Sequence, residues 1–85
     1  MPHPPKTLNT FEALSQVIRD LRGPDGCPWD KEQTHKTLAQ YAIEETHELA
    51  EALESGVDSH MCEELGDVLF QVVLHAGIAE ERGAF

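Results

Sequence analysis

The sequence predicts an all-α protein built around an antiparallel helical hairpin. Apolar residues recur at helical spacing along most of the chain, and no alternating segment is long enough to predict a strand. Glycine and proline cluster at few points, which divide the chain into one shorter and two longer helical segments. A chain of 85 residues forms one domain at most and buries too little surface for a large core. We therefore expect the hairpin and an N-terminal helix to dimerise into a four-helix-bundle-like fold, or to form a higher homo-oligomer.

The first helix is expected to follow a flexible tail of residues 1–8, so that residues 9–85 form the domain. Asn9 is a favourable N-cap, and Glu12 stands at the capping-box position after it. The helix should end at Gly23, because a proline follows. Its core-facing stripe is predicted to contain Leu14, Val17, Ile18 and Leu21.

The segment after the first helix is predicted to be an ordered loop. Residues 22–30 contain two glycines and two prolines, which disfavour a continuous helix. Asp30, together with Gln33, is expected to cap the helix that follows.

Two long helices are expected at residues 37–55 and 59–82, the second of them capped by Asp58. The link at Gly56 is so short that these helices must be antiparallel neighbours. Residues 68–79 are apolar almost all round, which is typical of a buried helix. The apolar stripe of the first long helix is predicted to contain Leu38, Ala42, Leu49 and Leu53.

The composition excludes several classes of function. The chain carries 16 acidic and 6 basic residues, for a formal net charge of −10, which disfavours nucleic-acid or anionic-membrane binding. No apolar run is long enough to predict a membrane span. Cys27 and Cys62 form no CxxC pair, so we expect neither a zinc finger nor a disulfide framework, and a reducing cytoplasmic location fits.

Acidic residues stand on helix faces that are expected to point inward. Glu45 lies within the apolar stripe of the first long helix, and Glu48 borders that stripe. Glu64 and Asp67 have the same spacing on the other long helix. No lysine or arginine lies on these faces, so the carboxylates must take up protons or bind cations. Clustered oxygen ligands suit Mg²⁺ or Mn²⁺, and partly exposed surface carboxylates are the alternative.

Several motifs resemble a known enzyme family. The run Glu44-Glu45-Thr46-His47-Glu48 followed by Glu64-Leu65-Gly66-Asp67 resembles the EExxE and ExxD signature of the all-α nucleoside triphosphate pyrophosphohydrolases. The upstream runs Gly26-Cys27-Pro28-Trp29-Asp30 and Gln33-Thr34-His35 resemble the MazG branch in particular. The continuation from Glu64 to Val73 carries the same resemblance.

The resemblance covers residues 14–85 and implies an activity with its cofactor. It implies Mg²⁺-dependent hydrolysis of nucleoside triphosphates to monophosphates and pyrophosphate, as in nucleotide-pool house-cleaning. It also implies a further basic helix beyond Phe85, which the chain is expected to lack. The residues that match the family's metal ligands are Glu45, Glu48, Glu64 and Asp67. Those that match its catalytic carboxylates are Glu44 and Glu45, with Glu44 assigned to a second metal or the attacking water.

Substrate contacts are expected near the loop that precedes the long helices. Trp29 either stacks on the base or anchors the loop. Arg22, Lys31 and Lys36 are the nearby basic residues for phosphate, although solvated surface charge is the more usual role of an exposed lysine.

Two other classes of function remain open at this point. Glu44 and His47 match the Glu-x-x-His element of di-iron carboxylate bundles, but the second helix of the hairpin supplies no matching element. A noncatalytic helical dimerisation module would explain the apolar residues of that helix. Such a module would leave the inward carboxylates unexplained.

Overall fold

Four helices make up the regular structure of the chain in a computed structural model that describes residues 10–85. They are α1 (Phe11–Arg22), α2 (Pro28–Glu32), α3 (His35–Ser55) and α4 (Asp58–Glu81). No strand occurs in residues 10–85, so the all-α prediction is confirmed. The expected tail and the capping role of Asn9 lie outside the described residues. None of these helices combines the length and the apolar character that crossing a membrane requires.

The helix α1 is capped at its start and tightly joined to the loop at its end. The Oγ1 of Thr10 accepts a hydrogen bond from the backbone N–H of Ala13 at 3.1 Å. In the following loop, the backbone N–H of Cys27 donates to the carbonyl oxygen of Leu21 at 2.9 Å. A Cβ at Gly26 would lie 2.1 Å from the same oxygen, so only glycine permits this approach of the loop to α1.

The segment predicted to be a loop contains the short helix α2, so that prediction is wrong in part. Pro28 stands at its first position, where the fixed φ suits a helix and the missing N–H has no helical partner to lose. Asp30 lies inside α2 and Gln33 ends it, so neither residue caps the next helix. A reciprocal capping box between Thr34 and Thr37 begins α3 instead.

The helices α3 and α4 form the predicted hairpin, with ends that differ slightly from the expected ones. His35 begins α3, two residues before the expected start at position 37, and Gly56 ends it in the left-handed conformation with φ of 72°. Val57 occupies the N-cap position of α4 and no side chain caps that helix. Asp58 is therefore a first-turn residue rather than the predicted cap, and its charge still suits a helix N-terminus.

The hydrophobic core lies at the end of the hairpin where α1 packs on α4. Ile18 of α1 and Leu38 of α3 are 2% and 1% exposed, and they are the largest side chains so deeply buried. Leu74 and Ile78 of α4 complete this buried cluster, and Leu14 of the predicted α1 stripe packs against it. The core thus joins three helices and holds the hairpin together at that end.

On two helices, the buried apolar face in the structure differs from the predicted one. Leu53 is 53% exposed, whereas Ala52 is fully buried. Since a helix turns by about 100° per residue, position 52 lies nearer than position 53 to the direction of Leu38. The helix α4 is also not buried on all sides, because Leu69 and Val72 are exposed. The helices α1 and α3 cover two faces of α4, and a third apolar face remains uncovered.

A chain of hydrogen bonds connects the start of α3 with the end of α4. Arg82 Nε donates to His35 Nε2 at 3.3 Å, and the Nδ1 atoms of His35 and His75 are 2.7 Å apart. Because the arginine nitrogen only donates, this pattern assigns the His35 proton to Nδ1, from which it is donated to the bare Nδ1 of His75. Burial, and then the neighbouring His35, lower the pKa of His75. The two bonded rings therefore hold the start of α3 and the end of α4 together.

Replacing Ile18 with alanine is expected to lower the free energy of unfolding by about 2–5 kcal/mol, because the substitution leaves a cavity among three helices. Phe11→Ala is the matched control, since Phe11 lies in the same helix and is 72% exposed. Its removal should change the free energy of unfolding by less than about 0.5 kcal/mol. Urea denaturation followed by circular dichroism measures both values, and equal losses at the two positions would contradict this account of the core.

Candidate metal centre

Three glutamates converge between the hydrophobic core and the Gly56 link of the hairpin. One carboxylate oxygen from each of Glu45, Glu48 and Glu64 lies within 4.8 Å of the other two. Glu45 and Glu48 are one turn apart on α3, and Glu64 approaches them from α4. The antiparallel arrangement of the two helices therefore brings together three of the four carboxylates whose spacing predicts a cation site.

The two inner carboxylates of this group are incompletely hydrogen bonded. Glu64 is buried with 7% of its surface exposed, and Glu45 is half-buried. The Oε2 atoms of both residues are buried and have no hydrogen-bond partner among the described residues. An unpartnered buried carboxylate oxygen is costly, so each of these atoms calls for a proton or a cation.

The pKa values of Glu45 and Glu64 also reflect the burial of these carboxylates. Burial raises the pKa of Glu45, and the negative charges of Asp67, Glu48 and Glu44 raise it further. Burial also raises the pKa of Glu64, with the charge on Glu48 as the next cause. These two carboxyls therefore resist ionisation more than an ordinary glutamate does.

His60 acts in the opposite sense on Glu64. Its Nε2 lies 3.6 Å from Glu64 Oε1, one turn earlier on α4, and its charge when protonated lowers the pKa of Glu64. The sequence analysis did not identify His60, although its position four residues before Glu64 is a recognisable signal.

Asp67 and Glu44 lie at the edge of the group. Asp67 is exposed and is absent from the three converging residues, but its charge raises the pKa of both inner carboxyls. Glu44 is exposed, and its Oε1 accepts a hydrogen bond from Gln40 at 3.5 Å. His47 is exposed and outside the group, so the residues described by the structure assemble no di-iron Glu-x-x-His pair.

The aromatic residue Trp29 lies on the side of α3 that carries the glutamates. Its ring, 52% exposed, meets the ring of Tyr41 edge-on with centroids 6.3 Å apart. Tyr41 precedes Glu45 by one helical turn, and the sequence analysis did not identify it as part of a site. The exposed surface of the pair offers an apolar platform beside the glutamates.

The basic residues near the loop have different environments. Lys31 Nζ donates to the Pro24 carbonyl at 2.9 Å, and Lys36 is an exposed residue in the first turn of α3. Arg22 was a candidate phosphate contact, and the structure contradicts that assignment. Its side chain is 8% exposed and is bonded to Glu81 and to loop carbonyls, so its charge faces inward.

The donor set fits a small divalent cation. Opposite oxygen ligands of Mg²⁺ are about 4.2 Å apart, so small side-chain rotations would bring the three glutamates into contact with one ion. Oxygen donors without sulfur or histidine also match the preference of Mg²⁺ and Mn²⁺. The unpartnered oxygens of Glu45 and Glu64 supply the unsatisfied acceptors that such an ion requires.

Comparison with known proteins gives a consistent set of similarities. Residues 33–85 match the family described as the MazG nucleotide pyrophosphohydrolase domain. The chain is 57% identical over 75 residues to the "Nucleoside triphosphate pyrophosphohydrolase/pyrophosphatase MazG" of Thermotoga maritima, and these residues are 88% of this chain and 29% of that protein. It is 46% identical over 79 residues to the "Nucleoside triphosphate pyrophosphohydrolase" of Escherichia coli K12, with coverage of 92% of this chain and 30% of that protein.

A third relative has no assigned activity. The chain is 59% identical over 75 residues to the "Uncharacterized protein YabN" of Bacillus subtilis, which is 88% of this chain and 15% of that protein. The chain thus spans less than a third of the length of these three curated relatives. No solved structure gives a significant match.

Substitution of Glu64 by glutamine is expected to raise the melting temperature at pH 7 in the absence of divalent cations. The pKa of Glu64 is raised in the folded state, so the stability that this group contributes is present below about pH 4.5 and is lost as the pH rises through the folded value. The variant should therefore gain most over wild type at neutral pH and least near pH 4. Thermal melts across this pH range measure the difference.

The same variant should lose most of the stabilisation that Mg²⁺ gives to wild type, because one direct ligand is removed. Glu63→Gln is the matched control, since Glu63 is the exposed neighbour on a different face of α4. Equal behaviour of the two variants in both experiments would contradict the assignment of Glu64 to a cation site.

Proposed function

Because the chain belongs to the MazG family of nucleotide pyrophosphohydrolase domains, we propose that it hydrolyses nucleoside triphosphates to nucleoside monophosphates and pyrophosphate. The observation that carries this proposal is the convergence of Glu45, Glu48 and Glu64, with two buried carboxylate oxygens that lack partners. Metal-dependent hydrolysis is the chemistry of the family, and a cluster of this kind supports it. A role in nucleotide-pool house-cleaning is the corresponding biological proposal, and since its substrates are cytoplasmic metabolites we place the protein in the cytoplasm.

We propose Mg²⁺ as the cofactor, with Mn²⁺ as a substitute, held by Glu45, Glu48, Glu64 and Asp67. When bound, the ion neutralises phosphate charge and lowers the pKa of a bound water. The net charge of −10 supports a cation requirement, because a triphosphate would otherwise be repelled by this face of the protein. Asp67 is not one of the three converging residues, and its exposed side chain is proposed to approach an ion from the solvent side.

The reaction assigns separate tasks to the carboxylates of α3. A water molecule attacks phosphorus in line, the bond to the oxygen that bridges the α and β phosphates breaks, and pyrophosphate leaves. The water's proton needs an acceptor within hydrogen-bond reach. We assign Glu44 to orienting this water or a second ion, and Glu45 to the catalytic group beside it.

The nucleoside and the phosphates have candidate partners on either side of these carboxylates. Trp29, with half of its ring exposed, is proposed to stack on the base. Lys36 stands in the first turn of α3, where its charge is available for phosphate. Lys31 is the second candidate, and it would exchange its bond to the Pro24 carbonyl for a phosphate oxygen.

We also propose that two copies of the chain pair through the uncovered face of the hairpin. Leu65, Leu69 and Val72 are exposed on α4 at spacings of four and three residues, as in a coiled-coil seam. Ile43 and Leu53 are exposed on α3. In a second copy related by a two-fold axis, the same apolar residues would pack against these. The two hairpins would then form a four-helix bundle.

Product analysis tests the reaction. Incubation with ribo- and deoxynucleoside triphosphates and Mg²⁺ should release monophosphate and pyrophosphate, and omission of the cation should abolish turnover. Glu45→Gln should lower the rate by at least about a hundredfold, because general-base catalysis alone contributes that much. His47→Ala is the matched control on the same helix and should retain activity.

Release of single phosphate in place of pyrophosphate would contradict the proposed bond cleavage. Loss of metal binding in His47→Ala would favour the di-iron alternative. If Glu45→Gln leaves turnover unchanged, the carboxylate of Glu45 takes no part in the mechanism.

Val72→Glu tests the pairing of two copies, because it places a charge within the proposed seam. Wild type should sediment as a dimer or a higher homo-oligomer, and the variant as a monomer with its helical circular dichroism preserved. Glu51→Gln, an exposed substitution on α3, should leave the sedimentation unchanged. A monomeric wild type at micromolar concentration would contradict the proposal.

A further inference from the structure

The short helix α2 lacks a hydrophobic anchor. None of its five residues is buried, and its packing within the described chain is against α1 and the ring of Tyr41. A helix of this length is not stable on its own propensity. Polar contacts must therefore determine where α2 lies, and with it Trp29.

The guanidinium group of Arg22 supplies the most buried of these contacts. Its Nη1 donates to the carbonyl oxygens of Asp30 and Gln33 at 2.7 and 2.8 Å, at the end of α2. On the opposite edge, Nε and Nη2 donate to the two carboxylate oxygens of Glu81 at 2.6 and 3.1 Å. One planar group thus joins α1, α2 and the last turn of α4, with its side chain 8% exposed.

A lysine at this position would be unable to make the same set of bonds. The arginine fork presents fixed donors in one plane, whereas an ammonium group is a single point that reaches either the carboxylate or the carbonyls. The ion pair between Arg19 and Glu80 provides the contrast within the same pair of helices. Its atoms are 3.5 Å apart, both side chains are more than half exposed, and it makes no contact with α2.

We propose that Arg22 is a positioning residue that holds Trp29 beside the glutamates and thereby sets the affinity for the nucleoside part of the substrate. Arg22 does not touch the substrate, because four of its donor bonds are used within the protein. Its effect passes through the carbonyls of α2 to Trp29, and from Trp29 to Tyr41, one turn from Glu45. The proposal rests on the proposed nucleotide hydrolysis for its ligand, but the link between Arg22 and Trp29 is independent of it.

The single tryptophan makes this link measurable without any substrate. Arg22→Lys should increase acrylamide quenching of Trp29 fluorescence and shift its emission to longer wavelength, because α2 loses its fixed position. Arg19→Lys should change neither quantity. Glu81→Ala removes the anchor on α4 alone, and it should move the emission in the same direction, which provides a second variant if Arg22→Lys does not fold.

Kinetics then separates positioning from general destabilisation. Arg22→Lys should raise KM for nucleoside triphosphates about tenfold and leave kcat within about twofold, because a misplaced binding group weakens substrate binding without altering the carboxylates. The gain in melting temperature with Mg²⁺ alone should stay as in wild type. Arg19→Lys should match wild type in all three measurements.

Each alternative result overturns a defined part of the proposal. Unchanged fluorescence in both Arg22→Lys and Glu81→Ala would show that other contacts position α2. A fall in kcat with constant KM, or a lost response to Mg²⁺, would show that Arg22 supports the carboxylates instead. If wild type hydrolyses no nucleotide but Arg22→Lys still alters the Trp29 fluorescence, the proposed function and the nucleoside role of Trp29 are refuted. The contact between Arg22 and α2 would stand in that case.

Discussion

The burial of like charges between two helices is the constraint on which the rest of this structure depends. Glu45 and Glu64 place carboxylate oxygens out of contact with water and without hydrogen-bond donors. Burial raises the pKa of both carboxyls, and the negative charges of Glu48 and Asp67 raise both values further. A hairpin with this feature between its core and its Gly56 link must be held together elsewhere, and its free energy of folding must depend on what binds there.

The apolar cluster of the hydrophobic core meets this requirement. Ile18 and Leu38 are almost fully buried, and they join α1 and α3 to the part of α4 that follows the acidic residues. The core and the glutamates occupy different parts of the hairpin, so the core stabilises the fold without filling the space between the carboxylates. The same helices therefore carry both the stabilising core and the candidate cation site, which is a common relation between scaffold and site.

Polar contacts perform the finer positioning that the small core cannot. Arg22 bonds the end of α2 and the last turn of α4 to α1, and the bonded pair His35 and His75 holds the start of α3 against α4. Such contacts are directional, since a guanidinium group or a ring nitrogen forms a good hydrogen bond only with partners in a narrow range of positions. An apolar face of α4 that contains Leu69 and Val72 remains exposed. This is the face that a second copy would cover.

The sequence by itself determined the all-α class and the hairpin, and it predicted four inward carboxylates, because helical period and a short link are local properties of the chain. The family resemblance also came from local runs, and the match over residues 33–85 agrees with it. Only the tertiary structure decided that Asp67 lies outside the converging group and that Arg22 is buried. Arg22 bonds to a residue 59 positions away, and no periodic pattern in the sequence indicates which distant carboxylate an arginine will meet. The helix α2 was missed for the same reason, since its place is set by that distant contact and by a loop that packs on α1 rather than by any apolar stripe of its own.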